Sequence, residues 1–295
     1  MAAMSRSFQN QRVGIRTYNM IIDGRAISAD ILAKVKDDIA AAVGGRDVIV
    51  RAIVMSPTPA TESYLRTKAA RAADAGMRLD IVRLPDDATT EDVLNAVRGI
   101  GLLEVDALIV QLPLPDTINT SLVLDEIPLE KDADVLSRAA YEHFVSRNEG
   151  ALLPPVVGAI KEVLERSNVS IAGKRAAIVG SGRLVGQPAQ VWLQAEGADV
   201  TVVTRQSGDM SELANADIII SGAGSPHLIT PDQIKDGVVL IDAGTSESNG
   251  AITGDADPTC AEKASVFTPV PGGMGPIAVA CLFQNAARLV QGAIV

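Results

Sequence analysis

Two hydrophobic spacings alternate along this chain. Short runs rich in branched aliphatic residues occupy Val48–Met55, Leu79–Leu84 and Ala107–Leu112. Between them, apolar residues recur at three- and four-residue intervals. The first pattern predicts buried strands and the second amphipathic helices. Met20-Ile21-Ile22 before Asp23-Gly24 reads as a short strand and turn. A helix is expected from Ala29 to Val43, with Ile31, Leu32, Val35 and Ile39 on one face. Pro57 and Pro59 break the chain ahead of a second helix, Ala60 to Ala75, which stops at Gly76. Thr89 caps a third helix reaching Gly99, with Glu91 near its start.

Strands separated by connections of crossover length imply a parallel sheet. The stretch from Lys131 to Gly150 is polar and lacks long apolar periods, so irregular structure is expected there. Pro154-Pro155 opens a helix to Arg166, and a second series begins at Arg175. Its expected strands are Ala176–Val179, Val200–Val203, Ile218–Ser221 and Val238–Ile241, with a helix from Gln187 to Gln194 between the first two. A last helix, Ile277 to Val290, follows Pro271-Gly272-Gly273-Met274-Gly275-Pro276. The fold class is α/β: two α/β domains with parallel sheets, 18–150 and 151–276, the C-terminal helix 277–295 completing the first. A two-substrate site is expected in the cleft between them.

Composition supports this picture. In 295 residues, 47% are hydrophobic but only 3% aromatic, so the core must be built from Ala, Val, Ile and Leu, as suits parallel sheets covered by helices. A formal net charge of −10 argues against nucleic acid or an anionic membrane as a partner, because phosphates are repelled. No apolar run is long enough to span a bilayer. Cys260 and Cys281 are too few for a disulfide framework and read as free thiols of a cytoplasmic protein. His143 and His227 lack paired ligand spacing, so no metal site is expected. Residues 1–17 hold Arg6, Arg12 and Arg16 and no acid, a charge pattern like that of a transit peptide, but the segment is short and reads as an extension.

Candidate chemistry gathers at strand ends. The run to Val179 leads into Gly180-Ser181-Gly182-Arg183-Leu184-Val185-Gly186. A strand, a glycine-rich turn and a helix present backbone N–H groups to a phosphate, although an ordinary tight strand-to-helix turn has the same composition. Arg205 stands just past the strand Val200–Val203, where an acid would hold the ribose 2′-hydroxyl of NAD. An arginine suits the 2′-phosphate of NADP instead, and it also suits an exposed strand end. Ala223-Gly224 and Gly244-Thr245 follow two further strands and leave room for a flat cofactor, or serve ordinary turns. In the other half, Tyr64 and Lys68 are four residues apart on one helix face, placed to stack on or protonate a heterocycle, or to decorate a surface helix. Gln111 ends an apolar strand at the edge where open α/β sheets bind ligands, before Leu112-Pro113-Leu114-Pro115. Lys131-Asp132-Ala133-Asp134 is either a solvated turn or the presentation of one carboxylate to ring N–H donors.

Together these segments, with Leu184-Val185-Gly186-Gln187-Pro188 and Thr268-Pro269-Val270-Pro271-Gly272-Gly273-Met274-Gly275-Pro276, resemble the bifunctional methylenetetrahydrofolate dehydrogenase/methenyltetrahydrofolate cyclohydrolase family, in order and spacing, from about Ile21 to the C-terminus. The resemblance implies a folate-binding catalytic domain, a Rossmann-like NADP domain and a homodimer. It implies Lys68 as the central group of the cyclohydrolase step, with Gln111 tuning its protonation. Tyr64 would border the pterin and Asp134 would bind it. Thr61, Leu112, Pro113, Gly273, Pro276 and Ile277 are expected near the folate. Gly180, Ser181, Gly182, Arg183, Val185, Gly186, Arg205, Ala223, Gly224, Gly244 and Thr245 are expected on the cofactor. Alternatives of narrower scope are a dehydrogenase alone, on folate or a related pterin, and a non-catalytic binding paralogue.

Several family positions differ here. Val135 stands where the family has glycine after Lys-Asp-x-Asp, and Ser181 where it has arginine. Leu153-Pro154-Pro155-Val156 replaces Pro-Cys-Thr-Pro, Gly275-Pro276-Ile277-Ala278 replaces Gly-Pro-Met-Thr, and Gly244-Thr245-Ser246 replaces Gly-Ile-Asn. The differences fall at the folate and cofactor edges rather than in the strands.

Overall fold

The computed structural model describes residues 19–99, 105–204, 209–248 and 251–292. The N-terminal extension and Arg205 lie outside the described residues. The chain runs β1 (Met20–Ile21), α1 (Gly24–Ala42), β2 (Ile49–Met55), α2 (Pro59–Asp74), β3 (Arg78–Leu84), α3 (Thr90–Arg98), β4 (Ala107–Val110), α4 (Thr120–Asp125), α5 (Arg138–Val145) and α6 (Pro155–Arg166). It continues through β5 (Arg175–Val179), α7 (Gly186–Ala195), β6 (Asp199–Val203), β7 (Ile218–Ser221), β8 (Val239–Asp242), β9 (Ser246–Ser248), β10 (Ala251–Thr253), β11 (Val266–Phe267) and α8 (Met274–Val290).

Among the described residues, the first half holds a parallel sheet of order β3-β2-β4. The second holds a six-stranded parallel sheet, β1-β11-β8-β7-β5-β6, so two α/β layers with parallel sheets are present as expected. From β5 the chain steps outward to β6 on one side and then to β7 on the other. The crevice at such a reversal, beyond the carboxyl ends of the strands, is where doubly wound sheets bind ligands.

The N-terminal segment departs from the expected division. β1 pairs with β11, Met20 opposite Val266, and so extends the second sheet rather than the first. α1 starts at Gly24, ahead of the expected Ala29, because Asp23 accepts hydrogen bonds from the backbone N–H groups of Arg25 and Ala26 at 3.0 and 3.1 Å. Gly24 is required there: a Cβ would lie 1.8 Å from the Gly273 carbonyl oxygen. α1, α2 and α6 all pack against α8, which joins the two halves. One continuous core runs through Leu32, Leu65, Ile109, Ile160, Ile178 and Phe283.

Elements additional to those expected include α4, α5, β11 and the pair β9–β10. α5 lies within the stretch read as irregular; only Ala140 and Phe144 are buried on it, too few to show a period. Its start is marked by Ser137, whose hydroxyl accepts from the Ala140 N–H. The antiparallel pair β9–β10 follows β8. Cys260 and Cys281 are both buried and unpaired.

Candidate active site

α2 opens on Thr58, whose hydroxyl accepts from the Thr61 N–H at 3.1 Å, with Pro59 in the first turn. Leu65 and Ala72 face the core, and Lys68 lies between them on that side with only 5% of its surface exposed. Its ammonium Nζ donates to Gln111 Oε1 at 3.0 Å. Gln111 Nε2 in turn donates to the Leu112 carbonyl at 2.7 Å, which fixes the amide with its oxygen towards the lysine. Lys68 Nζ is also 4.9 Å from the centroid of the Tyr64 ring, in reach of a cation–π contact. Tyr64 itself remains 39% exposed at the cleft wall.

The third component comes from the chain after β4. Asp132 is buried, and its Oδ2 accepts from the backbone N–H groups of Leu136 at 3.0 Å and Ser137 at 2.7 Å. This closes the turn that presents Asp134. Val135 takes φ +57°, a left-handed conformation strained for a β-branched residue. Asn285 of α8 braces the turn by donating to the carbonyls of Ala133 and Leu153 at 2.9 and 2.8 Å.

Burial and charge oppose each other at this wall. Burial lowers the Lys68 pKa, and the Asp134 carboxylate resists that shift. Burial raises the Asp134 pKa, against the pull of Lys68. The Asp132 carboxyl is pushed up to about 6, chiefly by burial. A lysine whose ammonium is disfavoured gives up its proton more readily than a solvated one, which suits it to act as a proton acceptor.

Tyr64, Lys68, Gln111, Leu112 and Asp134 line one cavity of about 400 Å³, a size that suits a small molecule. Arg183, Leu184 and Gln187 close it from the second half. The cavity therefore lies between the two halves. Arg183 Nη2 spans it to donate to Ser121 Oγ on α4 at 3.1 Å.

The carboxyl edge of the second sheet is a backbone cradle. Gly180 has φ +99°, and a Cβ there would come within 2.9 Å of the Gly222 carbonyl oxygen. A Cβ on Gly186 would lie 2.1 Å from the Gly180 carbonyl oxygen, and one on Gly222 2.5 Å from Val185. The turn after β5, the start of α7 and the turn after β7 thus meet with no room for side chains. Such a glycine cradle at a helix start fits the pyrophosphate of a dinucleotide.

Two family models match the chain. Residues 22–134 match the tetrahydrofolate dehydrogenase/cyclohydrolase catalytic domain, and residues 154–293 match the NAD(P)-binding domain of the same family. The chain belongs to this family. The bifunctional protein FolD of Methanospirillum hungatei is 34% identical over 275 residues, covering 92% of this chain and 98% of that protein. The structure of the bifunctional FolD dehydrogenase/cyclohydrolase from Campylobacter jejuni superposes with a TM-score of 0.88 at 30% identity, covering 93% of this chain and 99% of that one. The Trypanosoma brucei enzyme, solved with NADP and an inhibitor, gives 0.86 at 31% identity, covering 92% and 97%.

In this member of the tetrahydrofolate dehydrogenase/cyclohydrolase family, some of the residues expected at the catalytic and folate side line the cavity and others lie outside it. Tyr64, Lys68, Gln111, Leu112 and Asp134 share the cavity, as expected. Ile277 does not: it is 0% exposed in the core, while Ala278, Val279 and Leu282 of the same helix line the cavity. Thr61, Pro113 and Pro276 are not among the lining residues, and Thr61 instead bonds Thr58 at the helix start. Gly273 is buried in the contact with Gly24. Arg183, expected on the cofactor, faces the cavity.

Gly180, Val185, Gly186, Ala223, Gly224 and Gly244 lie at the cradle or the neighbouring strand ends, while Ser181, Gly182 and Thr245 are exposed along the same edge. Asn285, Arg138 and Tyr141 were not among the expected site residues, and Val135 stood out only as a departure from the family pattern. The adjacent amides Gln284 and Asn285 in the apolar run of α8 were the available signal for Asn285, and the glycine-to-valine departure was the signal for Val135.

Proposed function

We propose that this chain oxidises 5,10-methylenetetrahydrofolate to the 5,10-methenyl compound with NADP+, then hydrolyses that product to 10-formyltetrahydrofolate. The observation that carries the reading is one cavity bounded by the Lys68–Gln111 pair and Asp134 on one side and by the turn leading into α7 on the other. NADP+, when bound, supplies the acceptor for the hydride that leaves the methylene carbon. Gly180, Gly182, Val185, Gly186, Ala223, Gly224, Gly244 and Thr245 would hold it, with Arg205 at the 2′-phosphate.

The side chains divide the remaining work. Tyr64 offers a ring face for the pterin, and Asp134 accepts from its N–H donors. Loss of hydride leaves a resonance-stabilised cation, so the first step needs alignment and exclusion of water more than a strong base. Hydrolysis adds water across the methenyl carbon and releases a proton. The deprotonated amine of Lys68, held by Gln111, takes a proton from the attacking water. The hydroxyl on the former methenyl carbon then loses its proton to solvent as the C–N5 bond breaks, the Lys68 ammonium gives its proton to N5, and the formyl group stays on N10.

The reading also includes a cytoplasmic homodimer that binds no nucleic acid. Among the described residues, no helix is long and apolar enough to cross a membrane. Absorbance-monitored turnover with NADP+ and NAD+ in parallel is the test. The methenyl chromophore should appear faster with NADP+ and then decay to the formyl product. Appearance without decay would leave a dehydrogenase alone, and absence of both would overturn the reading.

A further inference from the structure

Two carboxylates are buried beneath the cradle, and the chemistry above uses neither. Asp255 is 0% exposed. Its Oδ2 accepts from Ser221 Oγ at 2.6 Å and from the Ala223 N–H at 2.7 Å, and its Oδ1 accepts from the Ser225 N–H at 2.7 Å. These described partners are all neutral donors. The backbone of Gly244 lies directly against the group: a Cβ on Gly244 would come 2.1 Å from the Asp255 carboxylate. Asp242, also buried, accepts from the Gly244 N–H at 2.9 Å on Oδ1 and from the Ala256 N–H at 2.8 Å on Oδ2.

A buried carboxylate is costly unless its oxygens are satisfied, and the groups that satisfy it are held in place in return. Here those groups are the amides on either side of Gly224, which has φ +63° in an exposed turn. No side chain from Gly224 can anchor that turn. Its conformation is set from below.

We propose that Asp255 is the positioning residue of the dinucleotide edge. It fixes the turn after β7 and packs Gly244 after β8, so that Ala223, Gly224, Gly244 and Thr245 present one continuous receiving surface, and it does so without touching the ligand. Asp242 secures the same surface from the β8 side. This inference rests on the cofactor reading of the preceding subsection.

The test uses Asp255→Asn with NADPH as the probe, followed by fluorescence titration. Both carboxylate oxygens are acceptors, so an amide in either orientation turns an NH2 group against at least one backbone N–H. The turn must move, and the NADPH dissociation constant should rise by about tenfold or more, equivalent to one lost buried hydrogen bond. At saturating NADP+, the KM for the folate substrate should stay within about twofold.

Ser221→Ala is the control. It removes a bond to the same carboxylate without touching the turn amides, so it should lower the unfolding midpoint while NADPH affinity stays within about twofold. Asp242→Asn, which loosens Gly244 from the other side, is the second variant if Asp255→Asn does not fold. It should raise the NADPH dissociation constant by about threefold or more, again with the folate KM retained. Unchanged NADPH affinity in the aspartate variants, or an equal loss in Ser221→Ala, would overturn the positioning role. Failure of the unsubstituted protein to bind NADPH would overturn the cofactor reading instead.

Discussion

Replacing Lys68 with glutamine separates the two halves of the reaction. The substitution removes an ionisable amine that is 5% exposed and bonded to Gln111 Oε1 at 3.0 Å. Glutamine still carries an N–H donor for that oxygen, so Gln111 keeps a partner and the buried slot stays filled. The structural loss is one charge-assisted hydrogen bond exchanged for a neutral one, on the order of 1 kcal/mol. The catalytic loss is larger. A positioned general base contributes about 10²- to 10⁴-fold, equivalent to roughly 3–5 kcal/mol of barrier. Hydride removal needs no such base and should fall by less than about tenfold. Stopped-flow absorbance reads both steps in one trace: the methenyl compound should form at a near-normal rate and then persist. Far-ultraviolet circular dichroism and NADPH titration check that the fold and second half are intact. Hydrolysis within about tenfold of the unsubstituted rate would refute the role given to Lys68.

Further predictions follow from the same wall and edge. Because burial lowers the Lys68 pKa and Asp134 raises it, hydrolysis should rise with pH through the titration of Lys68. In Asp134→Asn that limb should move to lower pH, as a pH–rate profile would show; a shift to higher pH would contradict the charge coupling. Val135 holds φ +57° while nearly fully buried. Val135→Ala should cost about 1–2 kcal/mol of stability by lost burial, whereas Val135→Gly loses more side chain but relieves about 1–2 kcal/mol of backbone strain. Urea unfolding should therefore find the glycine variant no less stable than the alanine variant, against the usual order. Arg205→Ala should weaken NADPH by about tenfold or more and NADH by less than about twofold; equal losses in parallel titrations would remove the 2′-phosphate assignment.

The readable part of this molecule was its periodic part. β2, β4, β5 and β7 are buried along almost their whole length, so their aliphatic runs stood out. Four-residue spacing put Tyr64 and Lys68 on one helix face, but only the family resemblance gave them a role, and the burial of Lys68 was hidden, since a lysine near Leu65 reads as a break in the apolar stripe. Gln111, 43 residues away in sequence, and Asp134, beyond β4, are brought to it only by the fold. The start of α1 was misread because glycine ordinarily ends helices; Gly24 begins one, where the Gly273 carbonyl leaves space for nothing larger. Ile277 was placed by its motif, yet a motif does not say which face of α8 meets the cavity, and the core claimed Ile277. Asp255 was invisible for a related reason: its partners Ser221, Ala223 and Ser225 are brought to it by the sheet rather than by any local pattern.

The most direct test of the central claim is a crystal structure of the ternary complex with NADP+ and a non-reactive folate analogue. The account predicts the pterin against Tyr64, its ring N–H donors on Asp134, and Lys68 Nζ within about 3 Å, or one water, of the one-carbon position. The nicotinamide should approach that position from the second half. A pterin bound outside the cavity, or a nicotinamide directed away from Lys68, would contradict it.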